Sequence, residues 1–255
     1  MASAVLLEVC VDSVESARAA EQGGAQRVEL CSNLAEGGVT PSAGMIAMTR
    51  KQIAIKLHVL IRPRSGDFFY SADEFEVIKR DILLAKQLGA NGVALGVLDA
   101  DAKIDTVRTG ELVMLARPLE VTFHRAFDVT LDGMRDLLAA LDDVISTGAD
   151  RILTSGGAPT AEQGAAILAR LQQAAKERIG IIAAGSIRAN NVRGILRQTG
   201  IREIHAALHS PIPSPVPSRE EASPLGTHAD NAGRRRVVLP ETVASLMAAA
   251  QSTIV

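Results

Sequence analysis

The sequence is poor in aromatic residues and in cysteine. It contains no Trp, one Tyr and five Phe, so aromatic residues make up only 2% of the chain. The hydrophobic residues, 47% in total, are therefore mostly Ala, Val, Ile and Leu, which suit close packing of helices on strands. Two cysteines in 255 residues are too few for a disulfide framework. We therefore expect both thiols to be reduced and the protein to be cytoplasmic.

Long apolar runs and an excess of basic charge are also missing. The chain contains no run of about 18 or more apolar residues, which argues against a membrane span. The start of the chain has no basic region, and Glu8 interrupts its apolar run, so we expect no signal peptide. A net charge of −2 and a pI near 6.2 argue against nucleic acid as a partner, because such binding needs a concentrated basic surface.

A strand–helix unit repeats along the chain. Four similar stretches, at 23–31, 88–96, 147–157 and 199–207, each place a Gly before a short run rich in Leu or β-branched residues. Gly favours a helix end because it adopts a left-handed conformation at low cost, and the following run is short enough for a buried strand. The predicted strands are 5–11, 27–31, 55–62, 92–98, 119–125, 151–155, 179–184 and 203–207.

Amphipathic segments separate these strands and predict the helices. Residues suited to helix starts precede several of them, for example Ser13, Ser71 and Thr160. The predicted helices are 13–22, 41–52, 71–88, 105–116, 132–147, 160–176, 190–198 and 240–250. Eight such units predict a single domain, residues 1–255, folded as a (β/α)8 TIM barrel. An open doubly wound sheet is the alternative, but the glycine-rich dinucleotide-binding turn is missing after the first strand, and we expect no organic cofactor.

One segment interrupts this alternation. Residues 208–236 contain five of the ten prolines, together with many Ser and Gly residues. This composition and length are typical of a disordered connection or of a functional lid. We interpret the segment as a flexible loop between strand eight and the last helix, with a lid over the barrel mouth as the alternative.

The first two strands share a pattern, a Glu and a Cys two residues apart. Because alternate residues of a strand share one face, Glu8 and Cys10 lie together on strand one, and Glu29 and Cys31 on strand two. The apolar residues between them must face the helices, so these four side chains should point into the barrel. Buried carboxylates need partners, and interior His and Arg side chains are the obvious ones.

Other strands place further polar side chains on the interior face. These residues are His58 and Arg62 on strand three, Thr122 and His124 on strand five, and His205 on strand eight. We take as candidate catalytic residues, which would supply acid–base groups, Glu8, Glu29, His58 and His124. A purely structural role for each Glu, in a salt bridge, is the alternative. The stretch "FHRAFD", residues 123–128, contains His124 and Asp128. It lies at the end of strand five, where the catalytic residues of barrel enzymes are found.

The two cysteines occupy equivalent positions on neighbouring strands, which lie about 5 Å apart. That spacing allows two thiolates to share one soft metal ion, so Cys10 and Cys31 are the candidate ligands for Cu(I) or Zn. Two other interpretations stay open. Cys packs well as a small buried hydrophobic residue, and the pair is also close to disulfide range.

Two arginines and two glycine-containing turns predict a site for a small anion. Arg62 and Arg64 follow strand three and would grip a carboxylate or a phosphate. Turns that contain glycine follow strands six and seven, and their backbone N–H groups would hold an anion. The residues of these turns are Ser155, Gly156, Gly157 and Gly185. Short turns also need Gly for their conformation alone, so the structural explanation stays open.

Several stretches together resemble the CutC family, the copper homeostasis proteins. They are "LEVCVDSVESARAAEQGGAQRVELCSNLAEGGVTPS", "HVLIRPRSGDF", "GVALGVLDAD", "VTFHRAFD", "RILTSGG" and "EIHA", between residue 5 and about residue 210. The resemblance implies a cytoplasmic (β/α)8 barrel that forms a homo-oligomer, which we expect to be a homodimer or homotetramer. It also implies a role in copper tolerance, with copper bound through Cys10 and Cys31. The chain departs from the family pattern after strand seven, where a single Gly185 replaces a run of glycines.

Two functional hypotheses follow. The first is a copper homeostasis protein that binds Cu(I) through Cys10 and Cys31, with a nearby His or Glu as a secondary ligand. The second is an enzyme that acts on a small anionic substrate through the Glu, His and Arg pocket, or that uses Glu and His to bind Zn or Mn. Lys56 lies only at a strand start, which disfavours Schiff-base chemistry. We take copper binding as the leading hypothesis and the enzyme as the alternative.

Overall fold

Eight parallel strands close into a barrel. The computed structural model describes residues 5–131, 137–213 and 234–252. Each barrel strand pairs with the next one along the chain, and the first also pairs with the eighth, so the sheet closes on itself. The strands are β1 Leu6–Val11, β2 Arg27–Leu30, β3 Lys56–Leu60, β4 Gly92–Leu95, β5 Glu120–Phe123, β6 Arg151–Thr154, β7 Gly180–Ala183 and β8 Glu203–Ala206. The predicted (β/α)8 TIM barrel is confirmed, and the open doubly wound sheet is excluded.

Helices follow the strands and pack around the barrel. The α-helices are α1 Val14–Gln22, α2 Ala43–Gln52, α3 Ala72–Gln87, α4 Thr106–Ala116, α5 Ala126–Val129, α6 Leu137–Ser146, α7 Ala165–Ala175, α8 Val192–Thr199 and α9 Pro240–Gln251. Ser13 and Ser71 begin α1 and α3, and each side chain accepts a hydrogen bond from a backbone N–H of the first turn. Within the described ranges, no helix is long and apolar enough to cross a membrane.

Two short helices and the start of α7 differ from the prediction. The short helix α5 and a 3-10 helix at Leu34–Glu36 were not predicted, because a single turn leaves no periodic pattern. Helix α7 begins at Ala165 rather than at 160, after a turn in which the Thr160 hydroxyl accepts a hydrogen bond from the backbone N–H of Gln163. The helix predicted at 132–147 is seen from Leu137 onward, and 132–136 lie outside the described residues.

Alternate residues of the barrel strands have different surroundings. On β1, Leu7 and Val9 are fully buried in the main apolar core between the barrel and the helices. Cys10 belongs instead to a small separate cluster inside the barrel. Glu8 shares this interior face, because its side chain contacts residues of β2 and β8 across the interior. The two-residue period of the sequence therefore sorts apolar residues outward and polar residues inward.

The two ends of the Pro-rich segment 208–236 form strands, which corrects the prediction of an irregular loop throughout. Strand β9, His209–Pro213, pairs antiparallel with β10, Arg234–Val238. Strand β10 also joins α1, because the backbone N–H of Val238 donates to the Ser16 hydroxyl over 3.2 Å. Residues 214–233 lie outside the described residues, so the flexible loop and the lid stay predictions there.

Candidate functional site

A layer of charged side chains fills the lower end of the barrel, where the strands begin. Arg27, the first residue of β2, is fully buried between the carboxylates of Glu8 and Glu203. Its Nε donates to Glu8, and its Nη2 lies 2.8 Å from Oε2 of Glu203. Arg27 was not among the interior residues predicted from the sequence. The signal was present, because Arg27 lies two residues before Glu29 and therefore shares its face.

Glu120 and Arg151 continue this layer on the other side of the barrel. Nη1 of Arg151 lies 2.9 Å from Oε2 of Glu120, and His58 Nε2 lies 3.3 Å from the same oxygen. The contact with His58 is the main cause that holds the pKa of Glu120 well below its usual range; burial opposes it, while Lys56 and Arg151 add to it. His58, a candidate catalytic residue, therefore contacts a charged network at the N-terminal end of the barrel, which in such barrels serves stability.

Glu8 and His205 form an ion pair across β1 and β8. Oε1 of Glu8 lies 2.7 Å from Nδ1 of His205. Burial alone would raise the pKa of Glu8, but the charge of Arg27 and the contact with His205 hold it well below its usual range. Burial would lower the pKa of His205, but Glu8 and Glu29 raise it above its ordinary value. A carboxylate on one ring nitrogen fixes an imidazole and leaves the other nitrogen for a ligand.

The two thiols meet above the charged layer. The sulfur atoms of Cys10 and Cys31 are 3.6 Å apart, and both side chains are free and buried. Apolar side chains pack around them, namely Leu60, Ala94 and Leu34. The hydrogen bond with Cys31 and burial together raise the pKa of Cys10, so this thiol is protonated at neutral pH. The structure thus brings together the two predicted metal ligands.

A carboxylate and an imidazole approach one of these thiols. One ligand atom each of Cys10, Glu29 and His205 lies within 4.8 Å of the other two. Burial, opposed in part by the charge of His205, raises the pKa of Glu29 to about 7. Sulfur, nitrogen and oxygen ligands of this kind suit copper and zinc. His205 was predicted as an interior residue and thus as a possible partner of the buried carboxylates, but it was not named as a metal ligand or as a catalytic residue.

His124 directly follows β5, beside Gly96, which directly follows β4. A Cβ atom on residue 96 would lie 2.6 Å from Nδ1 of His124, so only glycine leaves room for the ring. Nδ1 accepts a hydrogen bond from the backbone N–H of Ala126 over 3.2 Å, which leaves the ring proton on Nε2. Burial, with the charge of Arg62, lowers the pKa of His124 to about 3. The ring is therefore neutral and can donate a hydrogen bond.

Arg62 and Arg64, both predicted to bind an anion, make different contacts. Arg62 is buried, and its two terminal nitrogens donate to three backbone carbonyls at distances of 2.7, 2.9 and 3.0 Å. The three carbonyls belong to Glu36, Gly38 and Gly66. Arg64 is only half-buried and pairs with the carboxylates of Asp67 and Glu74. Carboxylates of the loop and of the first turn of α3 therefore already engage Arg64.

The turn after β6 holds a carboxylate from within the chain. Asp128 accepts hydrogen bonds from the backbone N–H groups of Ser155 and Gly157, both over 3.1 Å. The Thr154 hydroxyl also donates to Asp128 and accepts from the N–H of Gly156 over 2.8 Å. Asp128 therefore occupies the position that the sequence analysis predicted for an external anion. Replacement of Asp128 by a ligand stays a prediction.

Gly185 has a structural explanation in the turn after β7. Its φ is +104°, and a Cβ there would lie 3.1 Å from the backbone N of Ala161. Its carbonyl accepts a hydrogen bond from that same N–H over 2.9 Å. A cavity of about 460 Å³ lies next to this turn, lined by Arg188, Leu208 and the first turns of α9. An anion-binding role for Gly185 stays a prediction.

The chain is similar to proteins of one family. A sequence model of the CutC family matches residues 5–210. A protein of Chromobacterium violaceum named as family protein CutC is 45% identical over 221 residues, which cover 87% of this chain and 88% of that protein. The copper homeostasis protein cutC homolog of Homo sapiens is 45% identical over 225 residues, which cover 88% of this chain and 81% of that protein.

Solved structures share the fold. A crystal structure of CutC from Streptococcus agalactiae has a TM-score of 0.72 and 31% identity, and it covers 79% of this chain and 97% of that chain. A thiamine phosphate pyrophosphorylase from Pyrococcus furiosus, with a TM-score of 0.58, 16% identity and 98% coverage of both chains, shares the fold alone. Fold and interior together define a (β/α)8 barrel protein with a buried group of thiol, carboxylate and imidazole side chains. The chain belongs to the CutC family.

Proposed function

We propose that this protein serves copper homeostasis by binding a Cu(I) ion inside the barrel. Cys10 and Cys31 supply the soft ligands, and Glu29 and His205 complete the donor set. One observation carries the proposal: two buried thiols lie 3.6 Å apart, beside a carboxylate and an imidazole. The name of the human relative, which refers to copper homeostasis, supports the same function.

The chemistry of the donor set favours copper as cargo. Thiolates prefer soft ions such as Cu(I), and an imidazole suits copper as well. Glu8 pairs with Nδ1 of His205, which leaves Nε2 for a ligand. Nε2 lies 3.9 Å from the Glu29 carboxylate, and the imidazole, the carboxylate and the Cys10 thiol are close enough to bind one ion. Because thiolates and not thiols bind the ion, loading releases protons, and the apparent affinity rises with pH.

An anaerobic titration of Cu(I) into reduced protein, under a competing chelator, tests this proposal. We expect about one ion per chain at saturation, and we expect the Cys10→Ser/Cys31→Ser variant to lose this binding. His205→Gln should weaken it. His209→Gln is the matched control, because His209 pairs with Asp12 over 3.2 Å and lies outside the donor set.

The proposal fails if wild type and the double Ser variant bind Cu(I) equally and weakly. In that case the two thiols are core packing. A different result would assign the group to zinc: the protein binds Zn more tightly than Cu(I). This Zn binding should then be lost in Glu29→Gln and in His205→Gln but retained in Cys31→Ser.

A second candidate function is an enzyme that acts on a small anionic substrate. Glu29 supports it, because a carboxyl with a pKa of about 7 suits proton transfer near neutral pH. Glu8 and His58 are less suited, since Arg27 and Glu120 engage them in the charged layer. A screen of small carboxylates and phosphates with product analysis tests this candidate. Glu29→Gln should abolish any turnover, and turnover that survives this change would remove Glu29 as the acid–base group.

The cytoplasmic location and a homodimer or homotetramer are also part of this proposal. Two reduced, neighbouring thiols suit a reducing compartment. Helix α4 exposes two large apolar side chains, since Val107 is 80% and Met114 74% exposed, which supports burial against another copy. Light scattering should show a multiple of the 26.8 kDa chain mass, reduced to one chain in Val107→Lys/Met114→Lys. A wild-type monomer would contradict the homo-oligomer.

A further inference from the structure

Three buried polar atoms at the upper end of the barrel have no hydrogen-bond partner among the described residues. They are Nε of Arg62, the hydroxyl of Tyr70 and Nε2 of His124. The three residues are only 7%, 2% and 5% exposed. Buried polar groups are nearly always satisfied, because leaving one unpaired destabilises a fold. Three such atoms in one region therefore call for a common explanation.

The three side chains lie around the same part of the barrel mouth. The ring of Phe68 lies 5.0 Å from the guanidinium carbon of Arg62, and its centroid is 4.9 Å from that of the His124 ring. Tyr70 also faces Arg62, whose charge acts on the Tyr70 hydroxyl and on His124. Arg62 and Tyr70 follow β3, and His124 follows β5, so the group lies where the strands end.

All three atoms can donate a proton, and none meets an acceptor in hydrogen-bond geometry among the described residues, although the Arg62 guanidinium approaches the Tyr70 hydroxyl. Nε2 of His124 carries the ring proton, because Nδ1 accepts from the backbone N–H of Ala126. Burial raises the pKa of Tyr70 to about 12, so its hydroxyl stays protonated. Nε of Arg62 is a donor, because a guanidinium group has no acceptor atom. The missing partner is therefore a group with acceptor oxygens.

The buried charge of Arg62 points to an anion rather than to a neutral acceptor. Its two terminal nitrogens reach only backbone carbonyls, and no carboxylate of the described residues lies within 4.0 Å. The nearby carboxylates of Asp67, in the loop, and of Glu74, in the first turn of α3, pair with Arg64 instead. A buried charge without a counter-charge is costly, so an anion beside Arg62 would stabilise this arrangement.

We propose that Arg62, Tyr70 and His124 form a binding site for a small oxyanion, a carboxylate or a phosphate group, at the C-terminal mouth of the barrel. Arg62 supplies the charge, and the two neutral donors orient the oxygens. The site uses none of the proposed copper ligands, so it stands whether or not the barrel binds copper. Gly38 lies between the two sites, because Arg62 donates to its carbonyl and a Cβ atom on residue 38 would lie 3.4 Å from the Cβ of Cys31.

Two variants remove single donors from this site. Tyr70→Phe deletes only the hydroxyl. His124→Asn keeps an acceptor for the N–H of Ala126 and removes the Nε2 donor. Thr122→Val is the matched control, because it deletes another buried hydroxyl without a partner in the described residues, on the same strand β5 but outside the site. Each variant is titrated as the full chain with inorganic phosphate and with acetate at constant ionic strength, by calorimetry and by thermal unfolding.

We expect saturable binding of phosphate or of acetate to the wild type and to Thr122→Val. Tyr70→Phe and His124→Asn should each weaken binding about tenfold or more, because each loses one hydrogen bond to a charged ligand. Binding of phosphate alone assigns a phosphate-bearing ligand, and binding of acetate alone assigns a carboxylate.

Two results would overturn the oxyanion site. The first is no saturable binding of either anion to the wild type, which would mean that ordered water satisfies the three donors. The second is equal affinity in Tyr70→Phe, His124→Asn and Thr122→Val. The Cys10→Ser/Cys31→Ser variant separates this proposal from copper binding, since it should lose Cu(I) and keep the anion.

Discussion

Gly92 and His58 fit together across neighbouring strands. A Cβ atom on residue 92 would lie 2.5 Å from Nε2 of the His58 ring, a distance that no real side chain adopts. Gly92→Ala should therefore lower the free energy of unfolding by about 1–3 kcal/mol through overpacking. The measurement is urea unfolding of the variant beside the wild type.

Two further variants identify the His58 ring as the cause. In a His58→Ala background the Gly92→Ala change should cost less, because the ring is gone. Gly194→Ala is the control, since residue 194 lies in α8 and a Cβ there meets nothing within 4 Å. It should raise stability by about 0.5–1 kcal/mol. An equal cost of Gly92→Ala in both backgrounds would contradict the steric explanation.

The buried ion pair of Arg27 and Glu8 gives a second prediction. Arg27→Met leaves the Glu8 carboxylate buried without its main counter-charge, and we expect a loss of about 3–5 kcal/mol in the free energy of unfolding. Arg178→Met is the control, because Arg178 pairs with Asp142 on the surface and should cost about 1 kcal/mol or less. Equal costs for the two changes, measured by denaturant unfolding, would show that the buried pair is not needed.

The buried ring of His124 makes stability depend on pH. Its pKa is about 3 in the fold and 6.5 in the unfolded reference, with Arg62 as the charged group that faces it. Between these values the unfolded chain binds the extra proton, so the free energy of unfolding falls as the pH is lowered. The loss from pH 7 to pH 5 should be about 2 kcal/mol from this residue. His124→Asn should be less sensitive over this range by that amount, and unchanged sensitivity would refute the prediction.

The carboxylate of Asp128 holds the turn after β6 through its hydrogen bonds with Ser155 and Gly157. Asp128→Asn removes the charge and turns one acceptor into a donor that faces other donors. We expect a loss of about 1.5–3 kcal/mol in thermal or denaturant unfolding. Asp142→Asn, at the exposed pair with Arg178, should stay within about 1 kcal/mol of the wild type. If the two Asn variants match, the turn does not depend on Asp128.

The barrel and the polar interior could be predicted because both follow from local pattern. A run that alternates Leu7, Glu8 and Val9 has only one way to bury its apolar face, and eight such runs leave few topologies. The contact of Cys10 with Cys31 follows from their shared interior face, but not from equal register as predicted, because Cys10 lies opposite Glu29 and Cys31 lies two residues further along. These features need no knowledge of contacts between distant segments.

The partners of the charged groups could not be predicted in this way. Arg27 meets Glu203 across 176 positions of the chain, and such a pairing depends on how the barrel closes. Arg62 and Arg64 look alike in sequence, yet one is buried against backbone carbonyls and the other pairs with carboxylates. That difference depends on the course of the loops, and the sequence carries no periodic signal for it.

The donor set of the proposed copper site is divided between the two ends of the chain. Cys10 and Glu29 belong to the first two strands, whereas His205 belongs to the last barrel strand, which closes the sheet against β1. A nascent chain on the ribosome therefore holds both thiols early but gains the imidazole only when β8 has emerged. Metal loading with the complete set is thus tied to the last step of barrel assembly, and a chain truncated before β8 cannot acquire it.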